Sequence, residues 1–211
     1  MKTNDILDIS SVGRNAGGMT LRALARLLAA HPVVGAGIAL VLRSELGAAP
    51  WEVFHAGLAH TTGLSIGTAA GATAIAAIAL AAAAGVRPGL ATLVNAVLLG
   101  ACIDAALAVL PAAGSLAAAA GYLAAGIAAL ALGTGLYMSA GLGSGPRDSL
   151  MVALARTCRW STARARAILE LTAVIAGVLL GGRAGAGTLI YAAAIGPAAQ
   201  WSIQLFAEDP T

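Results

Sequence analysis

Six long apolar runs, two short proline-led segments between them and a self-match at a constant spacing predict an all-α membrane protein. The expected architecture is six transmembrane helices arranged as two inverted three-helix repeats, each carrying a short interfacial or re-entrant helix. Of 211 residues, 59% are hydrophobic and only 10% charged, and the mean hydropathy is +0.88. Soluble domains carry about 25% charged residues, so this composition excludes an ordinary soluble fold.

A helix needs about 20 mostly apolar residues to cross a hydrocarbon core of about 30 Å. Runs of that kind lie near Thr20–Ser44, Ile66–Ala84, Pro88–Leu110, Leu116–Ala140, Ala163–Gly182 and Ala184–Ala207. The first run follows a polar stretch, Met1 to about Met19, that reads as a flexible tail. That tail is longer than the short n-region of a secretory signal, and no small-residue cleavage site follows, so the run is expected to be retained. Cys102 lies within the third run and Cys158 in a basic connection. Neither suggests a disulfide framework or a thiolate metal site.

Between the first two runs stands "LGAAPWEVFHAGLA" from Leu46, and between the fourth and fifth stands "LGSGPRDSLMVALA" from Leu142. Both read Leu-Gly, two small residues, Pro, any residue, then an acid, at an offset of 96 positions. The offset persists downstream, where "RPGLATLVNAVLLG" from Arg87 aligns without a gap to "RAGAGTLIYAAAIG" from Arg183. Arg, Gly, Thr, Leu and a final Gly coincide, and upstream Gly37 matches Gly133. Ala-rich helices match one another by chance at Ala and Leu, but hardly at Pro, Arg and Thr in register, so the sequence is read as a duplication. The boundaries expected are a tail at 1–19, a first repeat at 20–111 and a second at 112–211.

Three spans per repeat is an odd number, which forces consecutive repeats to enter the membrane from opposite sides. Ten of the twelve basic residues fall on one side: Lys2, Arg14, Arg22, Arg26, Arg87, Arg147, Arg156, Arg159, Arg164 and Arg166. Arg43 and Arg183 fall on the other. The positive-inside rule then places both termini in the cytoplasm. The net charge of +3 follows from this orientation and implies no nucleic-acid partner.

The two short segments, Pro50–His60 and Pro146–Thr157, are too short to cross but suit helices, because proline at the first helical position sacrifices no hydrogen bond. Trp51, Phe54, His55 and Leu58 share one face of the first, and Arg147, Leu150, Met151 and Leu154 the equivalent face of the second. Two placements satisfy the pattern. In one, the helices lie flat at the interface with Trp51 at headgroup level. In the other, the break before each proline lies within the membrane, the helix is re-entrant, and backbone groups line a cavity.

Glu52 and Asp148 stand at the third helical position, where a carboxylate either caps the helix or, at a site, favours a cation, a proton or an amine. Asp104 lies about 9 Å from the outer end of its span and Glu170 about 10 Å from the inner end of its own, at 1.5 Å per residue. An acid at mid-membrane costs about 2.5–3.5 kcal/mol on insertion scales and usually faces a cavity or partner. Arg43, two residues before Glu45, is near enough in sequence to neutralise Glu52. His55, His60 and Glu52 lack the H-E-x-x-H spacing of a zinc site, so no metal or cofactor is expected, and the histidines read as hydrogen-bonded interfacial residues. Gly67 and Gly71, and the series Gly177, Gly181 and Gly185, follow the small-xxx-small pattern of close helix packing.

"LGAAPWEVFHAGLAHTTGLSIGT", "LYMSAGLGSGPRDSLMVALA" with the Arg-rich stretch and Glu170 after it, and "GGRAGAGTLIYAAAIGP" together resemble the YczE/YyaS/YitT family of bacterial integral membrane proteins, nearest to its YczE branch. The resemblance spans about Val34 to Phe206 and implies a multi-pass protein of the bacterial cytoplasmic membrane, with no catalytic residues to carry over. The expected function is a small-molecule secondary transporter or exporter driven by a proton or ion gradient, since no P-loop motif is present. Its expected partners are the lipid bilayer, an unidentified solute and, as a further option, a second copy of the chain. Candidate solute- or ion-binding residues are Pro50, Glu52, Pro146, Arg147, Asp148, Asp104, Glu170 and Arg43. A non-transporting accessory protein that uses the basic connection Arg156–Arg166 is the first rival. An intramembrane enzyme ranks last, for want of a nucleophile-base constellation.

Overall fold

The computed structural model describes residues 20–207. The expected tail and the C-terminal Thr211 lie outside the described residues, as do Lys2 and Arg14. Eight α-helices and no strand occur among the described residues: α1 (Leu21–Arg43), α2 (Pro50–Thr62), α3 (Ile66–Ala83), α4 (Leu90–Val109), α5 (Leu116–Ser139), α6 (Pro146–Cys158), α7 (Thr162–Leu179) and α8 (Ala186–Phe206). The first residues of α2, α3 and α4 recur as those of α6, α7 and α8 at the same 96-residue displacement seen in the sequence.

Local chemistry explains the recurrence. Pro50 and Pro146 each open a helix at its first turn, after the extended residues Ala49 and Gly145. Ser65 and Ser161 each accept a hydrogen bond from the backbone N–H three residues on, capping α3 and α7. At α4 and α8 the roles reverse, as Gly89 and Gly185 donate their own N–H to Thr92 and Thr188 Oγ1 at 3.2 and 3.1 Å. The breaks before the two prolines also match. Backbone φ is positive at Glu45 and Gly47 in the first, and at Gly141 and Gly143 in the second. Glu45 takes this conformation without being glycine, at a cost of roughly 1–2 kcal/mol.

Four of the helices, α1, α3, α4 and α5, are long and apolar enough to cross a membrane. The remaining two of the six expected spans, Ala163–Gly182 and Ala184–Ala207, form helices α7 and α8. Arg164, Arg166 and Glu170 dilute the apolar character of α7, and Gln200, Ser202 and Gln204 that of α8.

Packing is centred on the crossing of α1 and α5, with α4 laid along α1 and α8 along α5. Glycines set that crossing, for a side chain at Gly37 would run into Leu130 and the Gly126 carbonyl, and one at Gly126 into Val41. The main core gathers Ile38, Val41, Val53, Ile103, Leu123, Ile127 and Leu130. The short helices are not isolated at a surface. Helix α2 packs on α7 and α3, α6 packs on α3 and α7, and Val53 and His55 are fully buried.

Each break is held by the other half of the chain. Gly187 N donates to Leu46 O at 2.8 Å, and Ala91 N donates to Leu142 O at 3.1 Å, two bonds that are equivalent under the offset. The halves differ at one seam. Helix α3 lies against α4, where Gly67 and Gly100 approach backbone to backbone, whereas α7 and α8 make no comparable contact. The position matching Gly67 is Ala163, and Gly196, which matches Gly100, faces open space. A close approach of this kind requires a small residue on both helices.

Candidate functional site

The starts of α2 and α6 meet. Arg147 Nη2 lies 2.8 Å from Glu52 Oε1, an ion pair between residues 95 positions apart. The same guanidinium stacks over the Trp51 ring, with its central carbon 5.2 Å from the ring centroid. Positions 51 and 147, and 52 and 148, correspond under the offset, so the pair stands where the two halves abut. The burial is unequal: the Glu52 side chain is 6% exposed and that of Arg147 37%.

The two acids of the duplicated segment have different tasks. Asp148 Oδ2 accepts the Gly145 N–H at 3.2 Å and so satisfies a backbone donor at the start of α6. Glu52 caps nothing, since Ala49 starts α2 without a side-chain cap, and its carboxylate is given to Arg147. Arg43 does not neutralise it. The Arg43 guanidinium donates to the Leu107 carbonyl at 2.6 Å, one of the last carbonyls of α4, which have no partner within their own helix. Arg147, counted from sequence among the inner basic residues, pairs with Glu52.

Around this pair the structure gathers residues from three further helices. Partly buried Tyr191 of α8 lies within electrostatic reach of Glu52, Arg147, Glu170 and Arg166. Asp148 lies within electrostatic reach of Arg166 and Arg147, and Tyr137 of α5 within reach of Asp148. Arg166 Nε and Glu170 Oε1 form an i,i+4 ion pair at 2.8 Å, with side chains 60% and 39% exposed. Such a pair contributes about 0.3–0.5 kcal/mol. The cluster sets three carboxylates, Glu52, Asp148 and Glu170, against two guanidiniums.

His55 is buried among Trp51 and Phe54, and neither ring nitrogen has a hydrogen-bond partner. The expected interfacial, hydrogen-bonded histidine is therefore not what is found. Trp51 likewise sits beside the ion pair and, with Phe54, against Leu169, Thr172, Ala173 and Ala176 of α7. These six residues line an open apolar groove of about 120 Å³.

Asp104 is not part of the cluster. Its carboxylate accepts Ser65 Oγ at 2.6 Å and Gly67 N at 2.8 Å, completing the N-terminus of α3 from a neighbouring helix. Among the described residues no three His, Cys, Asp or Glu side chains converge to hold a metal ion. The sequence reading missed Tyr137, Tyr191 and Arg166. A tyrosine in an otherwise aliphatic run was the available signal for the first two.

A helical bundle in which four helices are long and apolar enough to cross a membrane is that of a membrane protein. The chain belongs to a family of unknown function, DUF6198, which matches residues 21–204. It is 33% identical over 175 residues to the "uncharacterized membrane protein YczE" of Bacillus subtilis, covering 81% of this chain and 80% of that one. It is 31% identical over 184 residues to an "uncharacterized protein" of Haemophilus influenzae, covering 87% and 84%. The expected kinship with YczE-like proteins is thus found. No solved structure matches the chain.

Proposed function

We propose that the protein is a small-molecule secondary transporter of the bacterial cytoplasmic membrane, a carrier and not an enzyme, with its site at the Glu52–Arg147 pair. The observation that carries this reading is the meeting of two broken-helix segments, one from each half, through a buried carboxylate and a guanidinium. Inverted-repeat transporters place their sites where discontinuous helices of the two repeats meet near the bilayer midplane.

The recurrence of helix starts, the reciprocal bonds Gly187–Leu46 and Ala91–Leu142 and the odd number of long helices per half support six spans in two inverted repeats. In this arrangement α2 and α6 are re-entrant, running outward in opposite directions from the centre. Exposed Arg156, Arg159 and Arg164 then mark the cytoplasmic face, where Arg164 stacks on Trp160 at 4.8 Å, a pairing suited to an anionic headgroup layer. The surplus carboxylate favours a cationic solute or a coupling proton over an anion, and the absence of a P-loop motif favours a gradient as the energy source.

Purified protein in proteoliposomes loaded with a metabolite mixture, with and without an imposed proton gradient, tests the reading. Gradient-dependent movement of a solute, lost in Glu52→Gln, is the expected result. A bilayer that stays sealed to every solute would leave a non-transporting accessory role, acting through the basic connection, as the better account.

A further inference from the structure

Building on the transport reading, we propose that the groove beside Trp51 and the Glu52 carboxylate form one site for an organic monocation with a small apolar body, which Arg147 occupies in the ligand's absence. Three observations converge. The carboxylate is nearly sealed from the surface whereas its cationic partner is not. The cation rests on an aromatic face, the Trp51 ring. That same ring forms a wall of an open apolar groove, bounded by Phe54 and four residues of α7.

A buried carboxylate stripped of its counter-charge is strongly disfavoured. Whatever displaces Arg147 from the ionised carboxylate must therefore bring a positive charge of its own, which disfavours neutral and anionic solutes. Cation–π attraction to Trp51 rewards the same charge. The groove fixes the rest of the ligand. Open rather than sealed and about 120 Å³ in volume, it has room for one ring or a short alkyl group. Only the Thr172 hydroxyl and the Trp51 indole N–H are polar among its lining side chains, so affinity there comes from apolar area.

The displaced guanidinium has somewhere to go. Asp148 lies within its electrostatic reach, and Glu170 shares the cluster through Tyr191. The exchange trades one cation for another on Glu52 and moves Arg147 to a surplus carboxylate. No charge is left buried alone. Because Arg147 belongs to the second half and Glu52 to the first, ligand entry also releases the tie between the halves, which alternating access requires.

The probe is benzyltrimethylammonium, with benzyl alcohol and phenylacetate as neutral and anionic counterparts. Titrations use the full chain in nanodiscs, with Trp160→Phe and Trp201→Phe so that Trp51 alone reports by fluorescence. Saturable quenching by the cation and none by the two counterparts is expected. Affinity should fall at least tenfold in Glu52→Gln and rise at least tenfold in Arg147→Gln, where the internal competitor is gone. Ala173→Phe fills the groove without touching the ion pair and should also weaken binding at least tenfold. It serves where Arg147→Gln proves unstable. Equal binding of the three probes, or affinity unchanged by Glu52→Gln and Ala173→Phe, overturns the site. Glu52-dependent binding with no flux of any solute in proteoliposomes overturns the transport reading and leaves the site standing. Solute flux without such binding does the reverse.

Discussion

Asp104 offers a sharp separation of structural from functional acids. Its two oxygens accept from Ser65 Oγ and Gly67 N at the start of α3. Hydrogen bonds to a charged group contribute about 1.5–3 kcal/mol each, and with Ser65 exposed the lower figure applies. Asp104→Ala should therefore cost about 3 kcal/mol, with a few tenths more from losing a negative group at a helix N-terminus. Asp104→Asn keeps one acceptor oxygen and should cost about half as much. For a chain of this size 1 kcal/mol shifts Tm by about 2–4 °C, so losses near 6–12 °C and 3–6 °C are expected by thermal unfolding in detergent. Per folded molecule, solute flux should stay at the parent level, because Asp104 lies outside the charged cluster. Parent-like melting combined with lost flux would contradict this and make Asp104 a site residue.

Gly100→Ala should destabilise by about 1–3 kcal/mol, because its Cβ would collide with the Gly67 carbonyl, whereas the equivalent Gly196→Ala meets nothing and should melt no lower than the parent. In a cysteine-free background, a cysteine placed at Ser161 should be labelled in cells only after permeabilisation and one at Ala113 without it; external labelling at Ser161 would refute the inverted arrangement. Asp148→Asn loses part of a cap and should cost at most about 1 kcal/mol, as read by thermal unfolding, with flux altered most from the cytoplasmic side in oriented vesicles.

Helix positions were legible because their signals are local. Pro50 and Pro146 mark first turns, Ser65 and Ser161 mark caps, and the spacing of 96 carries one half's pattern onto the other. Partner choice was not legible. Glu52 and Asp148 occupy equivalent positions beside similar prolines, and only the crossing of the helices decides that one caps its own helix while the other reaches Arg147. Sequence proximity pointed instead to Arg43, which the C-terminal carbonyls of α4 claim. Asp104 read as a costly mid-membrane acid for the same reason: its partners, Ser65 and Gly67, come into range only when α3 lies against α4. The open α7–α8 seam did leave a trace, Ala163 and Gly196 taking the positions that Gly67 and Gly100 hold in the first half, but its meaning depends on knowing which helices touch.

Gradient-driven flux in a double-mutant cycle at Glu52 and Arg147 tests the central claim most directly. The parent, Glu52→Gln, Arg147→Gln and the double variant would be compared at equal folded protein in oriented proteoliposomes. If the pair is the working centre, both single variants lose at least tenfold in flux and the double loses no more than Glu52→Gln alone, because the residues act as a unit. Parent-level flux in all three variants, accompanied only by earlier melting, would contradict the claim and reduce the ion pair to a structural tie between the halves.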